Sequence, residues 1–160
     1  MLYILIAAAI VILEYKIKTY IDTNRKVGER QEILGGKIII RKEYNDGAFM
    51  NFMEDKKEMV KTISCILLGL IILLFAVMLP KKGNKVYKLG LSLIVGGAIS
   101  NVSDRISKGH VIDYFSINCK QLKTIIFNLA DMAIFLGSIL IVVASMFTQK
   151  TEGSTDKTSK

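Results

Sequence analysis

The chain has 160 residues, just over half of them hydrophobic, and a formal charge of +8 at pH 7. This length indicates one compact unit, and the long apolar runs exclude a soluble nucleic-acid-binding protein despite the basic charge. The charge instead follows the rule that cytoplasmic segments of membrane proteins carry the excess of lysine and arginine. Lysines concentrate in the link between two apolar runs and after the last run, at Lys81, Lys82, Lys85, Lys88, Lys150, Lys157 and Lys160.

Four apolar stretches predict transmembrane helices, because about 20 helical residues cross the hydrocarbon core of a bilayer. They are residues 2–17, 62–79, 86–102 and 125–147. The first is expected to be a retained helix rather than a cleaved signal peptide, since no basic n-region precedes it and no clear cleavage site follows it. Its Lys16 and Lys18 are expected to snorkel to the membrane surface. Residues 1–147 are therefore predicted to form a single, mainly α, polytopic membrane domain, followed by a disordered cytoplasmic tail at 148–160.

The predicted topology places both termini in the cytoplasm, because four spans return the chain to its starting side and the link between spans two and three is rich in lysine. Residues 19–61 and 103–124 are then extracytoplasmic. Residues 32–34 and 37–40 are apolar or mixed segments on either side of Gly35-Gly36, a pattern that predicts a β-hairpin. A small extracytoplasmic β-sheet on the membrane is expected. Cys65 and Cys119 are not expected to pair, and a single histidine leaves few ligands for a zinc site.

Asp131 is the strongest indication of a functional site. It is the one charged residue between positions 125 and 147. In the predicted span it lies about six residues from the start, roughly 9 Å deep. A carboxylate in hydrocarbon costs a few kcal/mol unless it faces the bundle interior or is protonated, so a site residue is favoured over a simple packing contact.

Asp113 lies in the apolar stretch Val111-Ile112-Asp113-Tyr114-Phe115, which predicts a short segment that dips into the membrane interface. Asp113 and the outer part of span four both lie near the extracytoplasmic boundary, so the two carboxylates are expected to meet. Two carboxylates in a poorly hydrated site share one proton. An aspartic peptidase uses this arrangement: one carboxylate activates water, and the other polarises the scissile carbonyl.

Several polar residues accompany the two aspartates. Asn101 and Asn128 either form hydrogen bonds between helices or position the carboxylates and the substrate, and both interpretations stay open. Asp104 and Arg105 are expected to brace a loop rather than to catalyse. His110 is a weak candidate for a base in a serine mechanism, since no serine is convincingly paired with it. Gly96, Gly97 and Gly137 are expected to permit close helix packing.

At these residues the chain resembles the lipoprotein signal peptidase family, also called signal peptidase II. The family pattern G-G-A-x-G-N-x-x-D-R-x-x-x-G-x-V-x-D-F is matched at Gly96, Gly97, Ala98, Asn101, Asp104, Arg105, Gly109, Val111 and Asp113. The pattern F-N-x-A-D-x-x-I-x-x-G is matched at Phe127, Asn128, Ala130, Asp131, Ile134 and Gly137. The resemblance implies that Asp113 and Asp131 form a catalytic dyad, supported by Asn45, Asn101, Asp104, Arg105 and Asn128.

The resemblance also implies a four-helix fold with a small extracytoplasmic sheet, located in the bacterial plasma membrane. The implied reaction removes signal peptides from prolipoproteins, just before a cysteine that carries a diacylglyceryl group. It implies no metal and no cofactor, contact with membrane lipids, a monomeric state, and inhibition by the cyclic peptide globomycin.

The chain departs from the family pattern at a few positions. Ser100 stands in place of glycine and Tyr114 in place of phenylalanine, and the family's D-x-x-x-K in span one corresponds to Glu14 and Lys18. Asn45 matches the first residue of the motif N-x-G-A-A-F, but the register after Gly47 differs. Two other functions stay open: a non-catalytic or narrowed-specificity relative that binds lipidated peptides, and a small membrane protein that transports protons or ions through its buried aspartates.

Overall fold

The computed structural model describes residues 1–46, 56–119 and 122–155. In this part the protein is mainly helical with one three-stranded sheet, as predicted. The elements in chain order are α1 (Leu2–Asn24), β1 (Arg30–Ile33), β2 (Ile38–Asn45), α2 (Lys57–Met78), α3 (Lys85–Lys108), β3 (Val111–Ile117), a short 3-10 turn (Leu122–Thr124) and α4 (Leu129–Thr155).

Three helices in the described part of the chain are long and apolar enough to cross a membrane: Lys57–Met78, Lys85–Lys108 and Leu129–Met146. The protein is therefore a multi-pass membrane protein. Helix α3 is the central one, because it packs against α1, α2 and α4 and more than half of its span is buried inside the bundle. That position explains why α3 is the least apolar of the three, since a helix that faces protein on most sides needs fewer lipid-compatible residues.

Helices α3 and α4 approach each other closely at glycines. A Cβ added at Gly97 would lie 2.5 Å from the carbonyl oxygen of Ala130, and one added at Gly137 would lie 2.5 Å from that of Gly90. Neither distance is tolerable for a real side chain, so only glycine permits this spacing. The contact brings the C-terminal half of α3 alongside the first turns of α4.

The sheet is antiparallel, in the order β1-β2-β3. The predicted hairpin is present, with Ile33 paired to Ile38 across the Gly-Gly turn. The segment around Asp113 forms strand β3, because its backbone pairs with β2, and its expected position in the membrane interface stays a prediction. This pairing places Glu43 of the central strand β2 opposite Asp113 of β3.

Helix α4 begins at Leu129, later than the predicted start at Ile125. The reason is tertiary: Phe127 exchanges backbone hydrogen bonds with Phe115 of β3, at 2.7 and 3.0 Å, so the chain stays extended as far as Phe127. At its other end α4 continues to Thr155, although a disordered tail was expected from residue 148. Helix propagation costs little once a long helix exists, which accounts for this extension. Residues 156–160 lie outside the described residues.

Candidate active site

Asp131 lies in the first turn of α4, and Asn128 caps this helix. The side-chain oxygen Oδ1 of Asn128 accepts the backbone N–H of Asp131 at 2.9 Å, and Oδ2 of Asp131 accepts the backbone N–H of Asn128 at 3.1 Å. This reciprocal pair is a capping box, in which the cap residue and the third helical residue satisfy each other's backbone donors. The asparagine and the aspartate of the sequence N-x-x-D are therefore spaced by the geometry of a helix start.

Asp113 lies on β3, and its carboxylate is bound on both sides. Its Oδ1 accepts the Nδ2 of Asn128 at 2.7 Å, and its Oδ2 accepts the Nδ2 of Asn45 at 2.9 Å. Burial raises the pKa of Asp113 to about 7, and the charge of Asp131 acts in the same direction. Both hydrogen bonds partly oppose this rise, since they stabilise the charged form.

Asn128 connects the two carboxylates directly, because its side chain binds Asp113 and its backbone binds Asp131. Asn101 completes the network from α3: its Nδ2 donates to Oδ1 of Asp131 at 2.8 Å, and its Oδ1 accepts the Nζ of Lys18 at 2.9 Å. The two asparagines thus bind the carboxylates and also join separate elements of the fold.

Asp104 does not reach the two aspartates. It forms ion pairs with Lys18 at 2.9 Å and with Lys108 at 3.1 Å, so it braces α1 against α3; the loop brace that was expected is a contact between two helices, because α3 continues to Lys108. Arg105, the next residue, lines a cavity that Asp113 and Asp131 also line. Its Nε is buried without a hydrogen-bond partner among the described residues.

The two aspartates open into one cavity of about 980 Å³. Most of the polar lining residues come from the sheet and α3 and are called the polar wall, and most of the apolar ones come from α4 and the segment before it and are called the apolar wall. Glu43 belongs to the polar wall and adds a third carboxylate beside Asp113. The apolar wall is formed by Ile125, Ile126, Phe127, Met132, Ile134 and Phe135.

Contrary to the expectation from the sequence, Lys18 does not reach the membrane surface. Its side chain is 2% exposed and points into the bundle, where it contacts Asp104, Asn101, Ser100 and Glu14. The spacing of Glu14 and Lys18, four residues apart in an apolar run, is the signal for this inward pair, because such residues share one helix face.

His110 packs against Tyr44 of β2 with 4.1 Å between ring centroids, and burial lowers its pKa. The part of the sequence match that continues beyond Asp46, at Gly47 and Ala48, lies outside the described residues.

The sequence model of the signal peptidase (SPase) II family matches residues 6–147. The chain belongs to the signal peptidase II family. This match covers the whole candidate site, from Glu14 in α1 to Asp131 in α4, and confirms the resemblance found in the two sequence patterns.

Individual members of the signal peptidase II family are similar over nearly their full length. A lipoprotein signal peptidase of Lactobacillus johnsonii is 31% identical over 151 residues, which cover 94% of this chain and 96% of that protein. One of Listeria monocytogenes serotype 4a is 30% identical over 154 residues, covering 96% and 99%. A solved bacterial membrane enzyme structure, obtained by the in meso method at 2.3 Å resolution, superposes with a TM-score of 0.82 at 28% identity, covering 93% of this chain and 90% of that one. Because the named relatives are peptidases, the chain is assigned to the peptidases.

Proposed function

We propose that this protein is an aspartic endopeptidase that removes signal peptides from bacterial prolipoproteins, with Asp113 and Asp131 as the catalytic dyad. The observation that carries the proposal is that Asn128 binds both carboxylates at the wall of one cavity. The family name supports the reaction, and the lipidated prolipoprotein is the corresponding substrate. Cleavage takes place just before the cysteine that carries the diacylglyceryl group.

The dyad works with one shared proton. The raised pKa of Asp113, about 7, lets the dyad keep this proton up to near neutral pH. The ionised carboxylate takes a proton from water, which attacks the scissile carbonyl, and the protonated carboxyl donates to the carbonyl oxygen. The tetrahedral intermediate then collapses: the C–N bond breaks, and the amine of the cysteine leaves with a proton from the dyad.

Supporting residues hold the dyad and the substrate. Asn101 and Asn128 fix the carboxylates, Asn45 binds Asp113 from the sheet, and Asp104 keeps Lys18 in place beside Asn101. Arg105 supplies a cationic donor to the substrate backbone from the polar wall. The apolar wall of the cavity suits the acyl chains and the signal-peptide helix, which arrive through the membrane. Binding at the membrane surface orients the scissile bond and lowers the entropic part of the barrier.

Helix α1 is the fourth transmembrane span in this proposal. Its 23 residues reach about 35 Å, enough to cross a hydrocarbon core. Its charged residues Glu14 and Lys18 are buried against the bundle, whereas Leu5, Ile12 and Leu13 are at least half exposed to the surroundings. With four spans, both termini and the lysine-rich link face the cytoplasm of the plasma membrane, and the sheet lies outside. Reporter fusions after residues 28 and 83 test this topology, and an outside position for residue 83 would contradict it.

The decisive experiment uses the protein purified in detergent as a monomer and a diacylglyceryl-modified prolipoprotein. Wild-type protein should cleave the substrate, and Asp113→Asn and Asp131→Asn should each abolish cleavage while keeping helical content and a cooperative melting transition. Globomycin should block the wild type. Binding of the substrate without cleavage would favour a non-catalytic relative, and proton or ion flux in liposomes without cleavage would favour transport. Full cleavage by either variant would refute the proposed dyad.

A further inference from the structure

A buried chain of hydrogen bonds joins α1 to the first turn of α4, outside the cavity. The hydroxyl of Tyr114 donates to Oε2 of Glu14 at 2.7 Å and accepts the backbone N–H of Leu129 at 2.9 Å. The other oxygen of Glu14, Oε1, accepts the backbone N–H of Ala130 at 3.0 Å. Glu14 is 0% exposed and Tyr114 is 7% exposed, so water does not compete for these contacts.

These contacts complete the N-terminus of α4. The first N–H groups of a helix have no partner within the helix and must be satisfied from outside. Asn128 binds only the third of them, that of Asp131, while Tyr114 and Glu14 bind those of Leu129 and Ala130. The first turn, which carries the Asp131 carboxylate, is therefore held at three successive backbone positions.

Tyr114 also follows Asp113 directly along β3. Side chains alternate across a strand, so Asp113 faces the cavity while Tyr114 packs on the other side with Ile21 and Ile112. One hydroxyl thus ties the strand that carries the first carboxylate to the helix turn that carries the second. Burial and the neighbouring Glu14 hold the pKa of Tyr114 above its ordinary value, so this hydroxyl keeps its proton.

We propose that Glu14 and Tyr114 form a matched positioning pair, which sets the separation of the Asp113 and Asp131 carboxylates without contacting substrate. Both residues depart from the signal peptidase II pattern, which has aspartate and phenylalanine at these positions. The two departures meet in a single hydrogen bond in this chain. The longer glutamate and the added hydroxyl therefore depend on each other, and this inference rests on the proposed peptidase function.

The test compares kcat and KM for four proteins in detergent: the wild type, Tyr114→Phe, Glu14→Asp and the double variant. Each single change leaves a buried donor or acceptor of the first turn unpaired, so kcat should fall about tenfold or more, with KM changed by less than about twofold. The pH at which activity declines should also move in both single variants, because the separation of the carboxylates changes. The double variant removes the Tyr114–Glu14 hydrogen bond from both sides and restores the aspartate and phenylalanine of the signal peptidase II pattern, so kcat should exceed that of both single variants.

Tyr15→Phe is the matched control, since Tyr15 adjoins Glu14 but is 68% exposed. It should retain wild-type kcat and pH dependence. Equal kcat in the wild type and Tyr114→Phe, or losses that simply multiply in the double variant, would overturn the pairing. If a single variant does not fold, a folded and active double variant supports the pairing, and a double variant that is no better overturns it. A substrate left uncut by the wild type would overturn the proposed function as well, whereas cleavage at equal rates by all four proteins would overturn this inference alone.

Discussion

Replacement of Asn128 by aspartate tests the network that joins the two carboxylates. The change keeps the shape of the side chain and an oxygen that caps α4, and aspartate is as good a cap as asparagine. It removes the Nδ2 donor, which binds Oδ1 of Asp113 at 2.7 Å and Oδ1 of Asn101 at 3.3 Å. The helix cap should therefore be kept, while the protonation of the dyad should change strongly.

The magnitude follows from these contacts. A lost hydrogen bond to a charged group costs about 1.5–3 kcal/mol. A new carboxylate about 4 Å from Asp113 adds up to about 4 kcal/mol of repulsion at an effective dielectric constant near 20, until it takes up a proton. Since about 1.4 kcal/mol corresponds to a tenfold change in rate, Asn128→Asp should lower kcat at least about 100-fold at pH 7.

Single-turnover cleavage of a lipidated prolipoprotein, measured from pH 5 to pH 8, checks this expectation. The loss should be smallest at pH 5, where the new carboxyl group is more often protonated and can donate to Asp113 as the amide did. Asn118→Asp is the matched control, because Asn118 binds the backbone of Gly36 at the exposed hairpin tip. A kcat within about threefold of wild type at pH 7 would refute the role assigned to Asn128, because loss of a hydrogen-bond donor to a charged group should reduce kcat by more than this.

Three further expectations concern the site and its support. Asn45→Ala removes a hydrogen bond that lowers the pKa of Asp113, so the alkaline decline of kcat/KM should move to higher pH, and an unchanged or lower value would contradict this contact. The pKa of Asp113 is raised to about 7, so the neutral form of this side chain stabilises the folded state. This contribution to stability is fully present below the unfolded pKa of about 4 and is lost as the pH rises through about 7. The melting temperature should therefore fall between pH 5 and pH 8, and Asp113→Asn should flatten that dependence. Gly97→Ala should reduce both activity and melting temperature, because its Cβ would meet the carbonyl of Ala130, whereas Gly69→Ala has no atom within 4 Å and should do neither.

Much of the fold was predictable because lipid imposes a simple rule on sequence. Long apolar runs predicted the spanning helices α2, α3 and α4, and Gly35-Gly36 predicted the hairpin. The meeting of Asp113 and Asp131 followed from topology and from the family resemblance. The helices and the hairpin could be predicted from local sequence alone. The proximity of the two aspartates could be predicted once both were placed on the same side of the membrane.

The sequence-based predictions were wrong where tertiary contacts determine the local structure. Residues 125–127 are apolar and adjoin a span, so hydropathy alone includes them in the helix. Backbone pairing of Phe127 with Phe115 keeps them extended instead. The N-x-x-D spacing was a readable signal for the true start, since a capping box places the helix directly after Asn128. Lys18 was misplaced for a similar reason: periodicity shows which face it shares with Glu14, but not that this face meets α3.

The observed start of α4 at Leu129 also changes the free-energy cost of placing the Asp131 carboxylate in a membrane helix. Asp131 is the third helical residue, about 3 Å along the helix rather than the roughly 9 Å expected from the apolar run. In this first turn the helix dipole favours negative charge, and two N–H donors bind the carboxylate. The carboxylate therefore needs no deep polar pocket in hydrocarbon to remain in place. The same Asn128 that ends the extended segment and caps the helix also binds Asp113, so the helix start and the proposed dyad depend on one residue. A substitution of Asn128 that still caps the helix should consequently reduce catalysis more than it disturbs the fold.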